Sequence, residues 1–322
     1  MIDVDAIARA AGLPSDVPIS IAAFRDGGEI AQFVSGVWPD GRRVAPDDIF
    51  YAGSLTKQLT GAAIALLARD GRIDVDKPLR HFLADLPAWA ERVTVRDLLH
   101  HASGLPPAGV MESGLGSRHW TNNYVMTALK APDLSLAAAG ENFSYSNAGY
   151  FCLARVVEHV SGMSFADFVV AKLVAPLAIE GMHVLLDGEM PAYPQVGLMG
   201  PALPLSTGDG GLWTTASAFA TWLDRQNHDV LKIAQLVEQP GKLADGTAIA
   251  YGWGVGIRTF EGQAMFIHGG GWQGAFAKAV RSPALGLSVA GFAAHSSPDR
   301  IVAVTDAVFE RLAAVAPDGT AP

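Results

Sequence analysis

Apolar positions along the chain keep two different periods. Residues 3–12 predict a short helix that ends near Gly12 and Pro14. Two strand-like runs follow, 18–25 and 29–37, and Asp26-Gly27-Gly28 between them predicts a hairpin. From about residue 54 to 240 the spacing becomes mostly helical. Leu55, Leu59, Ala62, Ala63, Leu66 and Leu67 recur at helical intervals until Asp70-Gly71. Thr94 and Asp97 have the form of an N-cap and its N3 partner, opening a short helix through His100. Residues 148–160 and 165–174 predict two more helices, the second capped by Ser164, and 214–227 predicts another. Near 250 the period returns to strands, over 251–260, 263–268, 274–281 and 286–294. An amphipathic helix over 298–315 closes the pattern, and the Pro- and Gly-rich tail from Ala316 is expected to fray.

Strands therefore stand at both ends, with helices between them. One sheet built from both ends, with a helical region inserted, explains that order better than two tandem domains. The expected division is a sheet domain over 1–80 and 240–322 and a mostly helical inserted domain over 81–239. A chain of 322 residues is long enough to bury a large core, and 50% hydrophobic with 17% charged residues excludes a disordered chain. The net charge of −9 argues against a nucleic-acid partner. The single cysteine, Cys152, rules out an internal disulfide framework and, set in an apolar run, reads as an inert small hydrophobe. No stretch approaches the ~20 apolar residues of a membrane span. The acidic start Met1-Ile2-Asp3-Val4-Asp5 lacks a basic segment followed by an apolar one, so no secretory signal is read and a cytoplasmic location is expected.

Several chemical motifs fall away. Gly269 to Gly274 match G-x-G-x-x-G, but a strand pattern follows and no acid stands ~20 positions on, so no dinucleotide is implied. His100 and His101 are adjacent and would diverge on a helix, which makes structural roles the better reading. No G-x-S-x-G elbow occurs.

Three motifs remain. Ser54-Leu55-Thr56-Lys57 is an S-x-x-K, of which a chain of this composition holds roughly 0.4 by chance. It sits where a helix begins. Residues i and i+3 share a helical face, so the Lys57 amine can reach the Ser54 hydroxyl, and the helix N-terminus favours a seryl alkoxide. The same pattern also serves a serine N-cap with a solvated lysine. Tyr145-Ser146-Asn147, a Y-x-N expected about 0.1 times by chance, lies in a polar loop before a helix. In an extended loop Tyr145 and Asn147 project to one side, and a phenol near an ammonium can serve as base and then acid; a loop tyrosine packed on its own helix is the other reading. His268-Gly269-Gly270-Gly271 ends a predicted strand, where glycines admit a substrate to the backbone or simply make a turn.

In this order, Ser54-x-x-Lys57, Tyr145-x-Asn147 and His268-Gly269-Gly270 resemble the three motifs of the serine β-lactamase and penicillin-binding protein superfamily. Tyr-x-Asn in the second motif points to the branch of class C β-lactamases, D-alanyl-D-alanine peptidases, D-aminopeptidases and family VIII carboxylesterases. Tyr51-Ala52-Gly53, residues 70–79, Leu98 to Leu105 and Gly210-Gly211-Leu212-Trp213-Thr214-Thr215 are similar to further family segments. The resemblance runs from about residue 17 to 295. It implies an α/β fold of the α+β kind, β-lactamase/transpeptidase-like, with an antiparallel sheet flanked by helices. It implies Ser54 as nucleophile, Lys57 and Tyr145 as proton-transfer groups, Ser54 and Gly271 N–H groups as an oxyanion hole, and Asn147 and His268 at the substrate. His268 would bond Tyr145 or the substrate. Trp272 is placed to line an acyl pocket or to serve as a rim or core aromatic. No cofactor or metal is implied. His-Gly-Gly replaces the family's Lys-Thr-Gly, and the interval from the second to the third motif is short. Those departures favour a carboxylesterase on small esters, or an amide-hydrolysing relative. The alternatives are a D-aminopeptidase or D-alanyl-D-alanine peptidase, a weak β-lactamase, and a non-catalytic ligand-binding relative. A small ester or amide is the expected partner.

Overall fold

The computed structural model describes residues 3–116, 118–186, 188–189 and 203–315, so the tail from Ala316 lies outside the described residues. Helix α1 (Val4–Ala10) precedes strands β1 (Ile19–Arg25), β2 (Gly28–Ser35) and β3 (Phe50–Tyr51). Helices α2 (Thr56–Arg69), α3 (Val95–Leu99), α4 (Asn122–Leu129), α5 (Asn147–Ser161) and α6 (Phe165–Val169) follow. Then come β4 (Met182–Val184), β5 (Leu212–Thr214), α7 (Ala216–Asn227), α8 (Ala234–Val237), β6 (Gly241–Lys242) and β7 (Ala248–Ile249). The chain ends on β8 (Gly256–Phe260), β9 (Gln263–Trp272), β10 (Ala275–Ser282), β11 (Leu287–Ala293) and α9 (Pro298–Ala313).

Six strands form one antiparallel sheet in the order β2-β1-β11-β10-β9-β8, so both ends of the chain do build it. Three of its hairpins turn on two residues with positive φ: Asp26-Gly27 (48° and 91°), Glu261-Gly262 (49° and 77°) and Gln273-Gly274 (39° and 100°). Positive φ at both positions is the turn whose twist matches that of paired strands. Alternation along the central strands divides two apolar layers. Ile19, Ile21 and Ala23 of β1, with Val289 of β11, meet α1 and α9 through Val4, Ala8, Ile301, Val304 and Val308. Ala22 and Phe24, with Ala290 and Phe292, join the larger cluster built from α2, α5, α6 and α7. Sheet and helical region thus share one continuous core, and α7 packs on β1, β10 and β11.

Buried in that core is α5, whose Cys152 is fully inaccessible. Burial, the main cause, pushes its thiol up to about 12. Among the described residues no single helix is long and apolar enough to cross a membrane.

Several boundaries differ from those the pattern predicts. The helix expected over 165–174 changes to a π-helical turn at Val170–Val174. The helix expected from 214 starts at Ala216 with Thr215 as its cap, because Thr214 closes β5. Tyr251 stands outside the strand predicted to begin with it. Strand β9 does not stop at His268. It runs through the glycines to Trp272, and the turn falls on Gln273-Gly274.

Candidate active site

Ser54 lies inside a 3-10 turn, Gly53–Leu55, that leads into α2; the N-cap position of α2 falls on Leu55 and takes no side-chain cap. The Ser54 hydroxyl is therefore not spent on capping. The turn is held by Ala52 N–H to Leu212 O at 3.0 Å and by Thr56 Oγ1 to Gly53 O at 2.7 Å. It is pressed against β9 without room for side chains. Gly53 has φ +54°, and a Cβ there would stand 2.5 Å from Gly271 N. A Cβ on Gly270 would stand 2.0 Å from Ala52 O. Glycine at these two positions lets the two backbones touch.

Lys57, one turn along, is 0% exposed. Its Nζ has three partners: Ser54 Oγ at 3.1 Å, Asn147 Oδ1 at 2.8 Å and Asp209 O at 2.9 Å. Two of these are oxygens that can only accept. The third, the Ser54 hydroxyl, accepts from Nζ and has a proton of its own to give, which puts the two groups within proton-transfer reach. The arrangement thus suits proton transfer from Ser54 to Lys57.

Asn147 opens α5, and its amide orientation is set from outside the three motifs. Its Nδ2 donates to Glu112 Oε1 at 2.7 Å, which turns Oδ1 towards Lys57. Glu112 is fixed in turn by Gly109 N–H at 2.7 Å. Tyr145, half-buried, presents its ring to the amine, with Lys57 Nζ 5.0 Å from the ring centroid. Tyr145 O accepts from Ala108 N–H at 2.7 Å.

The third motif is placed by β9. Strand β8 pairs with β9 only as far as Ile267, so residues 268–272 have β10 on one side and the Ser54 turn on the other. In a two-residue hairpin the flanking pair, Trp272 and Ala275, exchanges both hydrogen bonds, and alternation then points Gly271 N–H outward. On that side it faces the Ser54 turn, where a Cβ on Gly53 would stand 2.5 Å from Gly271 N. His268 is buried and its ring is committed: Nδ1 bonds Gly269 O at 2.6 Å, and Nε2 takes the Tyr251 hydroxyl at 3.0 Å. A carbonyl only accepts, so Nδ1 carries the proton and Tyr251 donates. Burial, and then the charge of Lys57, hold the imidazole down at about 3. Of the two expected partners, Tyr145 or the substrate, Tyr145 is not the one bonded: its ring centroid is 6.1 Å away, and Nε2 bonds Tyr251. Trp272 is half-buried and packs against Tyr51, Trp213 and Ala275.

Both expected structural histidines are buried. His100 bonds Tyr251 O at 2.9 Å and accepts from Trp253 Nε1 at 3.2 Å. Asp209, which motif reading misses, is buried beneath Lys57. Burial raises its pKa above the carboxylate range, against the pull of Lys57 and hydrogen bonds from Ser206 Oγ (2.7 Å) and Trp120 Nε1 (2.7 Å). Glu112 and Asp209 are invisible to spacing rules, although Asp209 directly precedes the Gly210-Gly211 segment. Among the described residues no group of three His, Cys, Asp or Glu side chains could hold a metal ion.

The family model described as Beta-lactamase matches residues 13–310. Protein flp of Staphylococcus aureus (strain MRSA252) is 27% identical over 232 residues, covering 66% of this chain and 46% of that protein. The chain thus matches less than half the length of that curated relative. D-amino acid amidase from Ochrobactrum anthropi SV3, solved with L-phenylalanine, has a TM-score of 0.80 at 18% identity, over 96% of this chain and 98% of that one. A penicillin-binding protein from Bacillus halodurans has a TM-score of 0.79 at 22% identity, over 96% and 100% of the two chains. The two structural likenesses show a shared β-lactamase/transpeptidase-like fold.

Proposed function

The chain belongs to the beta-lactamase family of serine hydrolases, and from that premise we propose that it hydrolyses small esters or amides lacking a free carboxylate, with carboxylesters as the preferred class. The observation that carries this reading is the buried Lys57 amine, 3.1 Å from Ser54 Oγ with its other two contacts on acceptor oxygens. Ser54 Oγ attacks the acyl carbon as its proton passes to Lys57. The oxyanion is received by the N–H groups of Ser54 and Gly271. Tyr145 delivers a proton to the leaving alcohol or amine, the carbon–oxygen or carbon–nitrogen bond breaks, and the proton held on Lys57 returns to Tyr145. Water then attacks the acyl-enzyme, releasing the acid and restoring the Ser54 hydroxyl. Removing one oxyanion donor in such sites costs about 10²–10³ in kcat.

The substrate class follows from charge. His268 stands where the family carries a lysine, and it is neutral with both nitrogens engaged. A substrate carboxylate therefore meets no cation from that position, and Glu112 would repel it. A second reading, amino acid amides with a free ammonium, is favoured by the same Glu112 carboxylate beside Asn147. It is also the activity for which the D-amino acid amidase sharing this fold is named.

The test is a panel of nitrophenyl esters, nitrocefin and D- and L-amino acid nitroanilides, with a fluorophosphonate label read by mass spectrometry. Turnover of short-chain esters and a label lost in Ser54→Ala are expected. Nitrocefin turnover exceeding every ester would overturn the substrate class. A label surviving in Ser54→Ala would overturn the nucleophile.

A further inference from the structure

Directly after α3 the backbone passes through a left-handed residue that is not glycine. His101 has φ +55° and is 1% exposed. Non-glycine residues are uncommon in that region, and histidine is one of the few types enriched there, with asparagine and aspartate. What it holds is on either side of Tyr145. The His101 backbone oxygen accepts from Ser144 N–H at 2.7 Å, and its Nδ1 accepts from Ser146 N–H at 3.2 Å. The imidazole also lies against the Tyr145 ring, with centroids 4.3 Å apart and planes at 41°. Tyr150 at 4.9 Å and Tyr251 at 4.8 Å enclose it further.

Because Nδ1 accepts from an amide, the proton of the neutral ring sits on Nε2. That N–H has no oxygen or nitrogen partner. Burial first, and then the nearby Lys57, keep the ring well below the ordinary histidine range, so its acceptor is preserved. An apolar ring of similar size would fill the same space without orphaning a donor. Packing alone therefore does not account for an imidazole here; the Nδ1 acceptor does.

We infer that His101 is the positioning residue for Tyr145: it grips the chain on both sides of that residue and backs its ring, fixing the phenol relative to Lys57 and Ser54. The inference rests on the reading of Tyr145 as a proton-transfer group. It adds a fourth segment, the loop after α3, to the three motifs.

A double-mutant cycle on ester hydrolysis tests it, using His101→Leu, His101→Asn and Tyr145→Phe. A displacement near 1 Å at a reacting group can cost about 100-fold. His101→Leu is therefore expected to lower kcat by about 100-fold, with KM within about threefold. In the Tyr145→Phe background the same change should cost less than about threefold, because both act through one phenol. His101→Asn keeps an acceptor for Ser146 N–H and suits the left-handed backbone, so it should recover at least about tenfold of the loss. If His101→Leu does not fold, His101→Gly replaces it, since glycine takes this φ without strain and equally lacks the acceptor. Equal losses in both backgrounds, with Tyr145→Phe itself impaired, overturn the inference. A folded Asn variant as impaired as the Leu variant does so too. Near wild-type kcat in Tyr145→Phe would instead overturn the acid–base reading of Tyr145, and the inference with it.

Discussion

Gly270→Ala adds one methyl group where β9 touches the Ser54 turn. The new carbon would stand 2.0 Å from Ala52 O and 3.2 Å from Ser54 N. Gly270 is not among the positive-φ glycines, so alanine meets no conformational penalty and the effect is steric. An ordinary contact needs about 3.5 Å between heavy atoms, so strand and turn must part by more than ~1 Å. That separation moves Gly271 N–H away from Ser54 Oγ, which is equivalent to losing an oxyanion donor. The expected loss in kcat/KM is therefore about 100- to 1000-fold. Gly269→Ala is the internal control. Its Cβ would meet only Ala277 O at 3.7 Å, an ordinary distance, so activity should stay within about threefold. Both variants would be assayed on a nitrophenyl ester beside thermal melts, which separates a displaced site from an unfolded one. A Gly270→Ala enzyme that keeps more than about a third of its kcat/KM would refute the argument. So would equal losses in the two variants.

Glu112→Gln removes the charge and keeps one acceptor oxygen, for Asn147 Nδ2, while an amide NH2 takes the place of the oxygen that meets Gly109 N–H. A charged hydrogen bond exceeds a neutral one by about 1–1.5 kcal/mol, so kcat/KM for amino acid nitroanilides should drop about tenfold relative to nitrophenyl esters. Equal changes on both substrate classes would show that Glu112 does not meet a substrate ammonium. The His268 shift predicts acid sensitivity. Folded His268 stays neutral down to about 3, whereas unfolded histidine binds a proton below its ordinary 6.5. Stability contributed by His268 is thus complete above pH 6.5. It falls as pH drops towards 3, by up to about 1.4 kcal/mol per pH unit. His268→Gln should reduce the slope of unfolding free energy between pH 7 and 5 by up to one proton, measured by urea titration. An unchanged slope would mean that His268 titrates normally in the folded chain.

What was legible in the sequence was local. Ser54 and Lys57 are three residues apart at a helix start, so their meeting follows from helical geometry alone. The Asp26-Gly27 hairpin and the Thr94–Asp97 capping box are equally local, and both are present. The extension of β9 was not legible, because three consecutive glycines carry no side chains whose alternation could register. The sheet of β3, β5 and β4 escaped for a related reason: strands of two or three residues are too short to show a period. Glu112, His101 and Asp209 reach the site from loops distant in sequence, and only the folded chain brings them to Asn147, Tyr145 and Lys57. His268 was found as a position but not as a chemical state. Its neutrality depends on Tyr251 and on burial, neither of which a motif encodes.

Cys152 gives the helix that presents Asn147 a built-in clock. A thiol that is sealed in the core, with its ionisation pushed up to about 12, offers a disulfide reagent no thiolate while α5 stays closed. Reaction can proceed only from an opened form. When closing outpaces reaction, the labelling rate reports the fraction of molecules in which that helix is open. Because the chain holds no other cysteine, the signal comes from this one place. Labelling that follows the global denaturation curve would make α5 part of the last cooperative unit to open. Labelling that runs ahead of it would mean that the Asn147 end of the site loosens while the sheet is still intact.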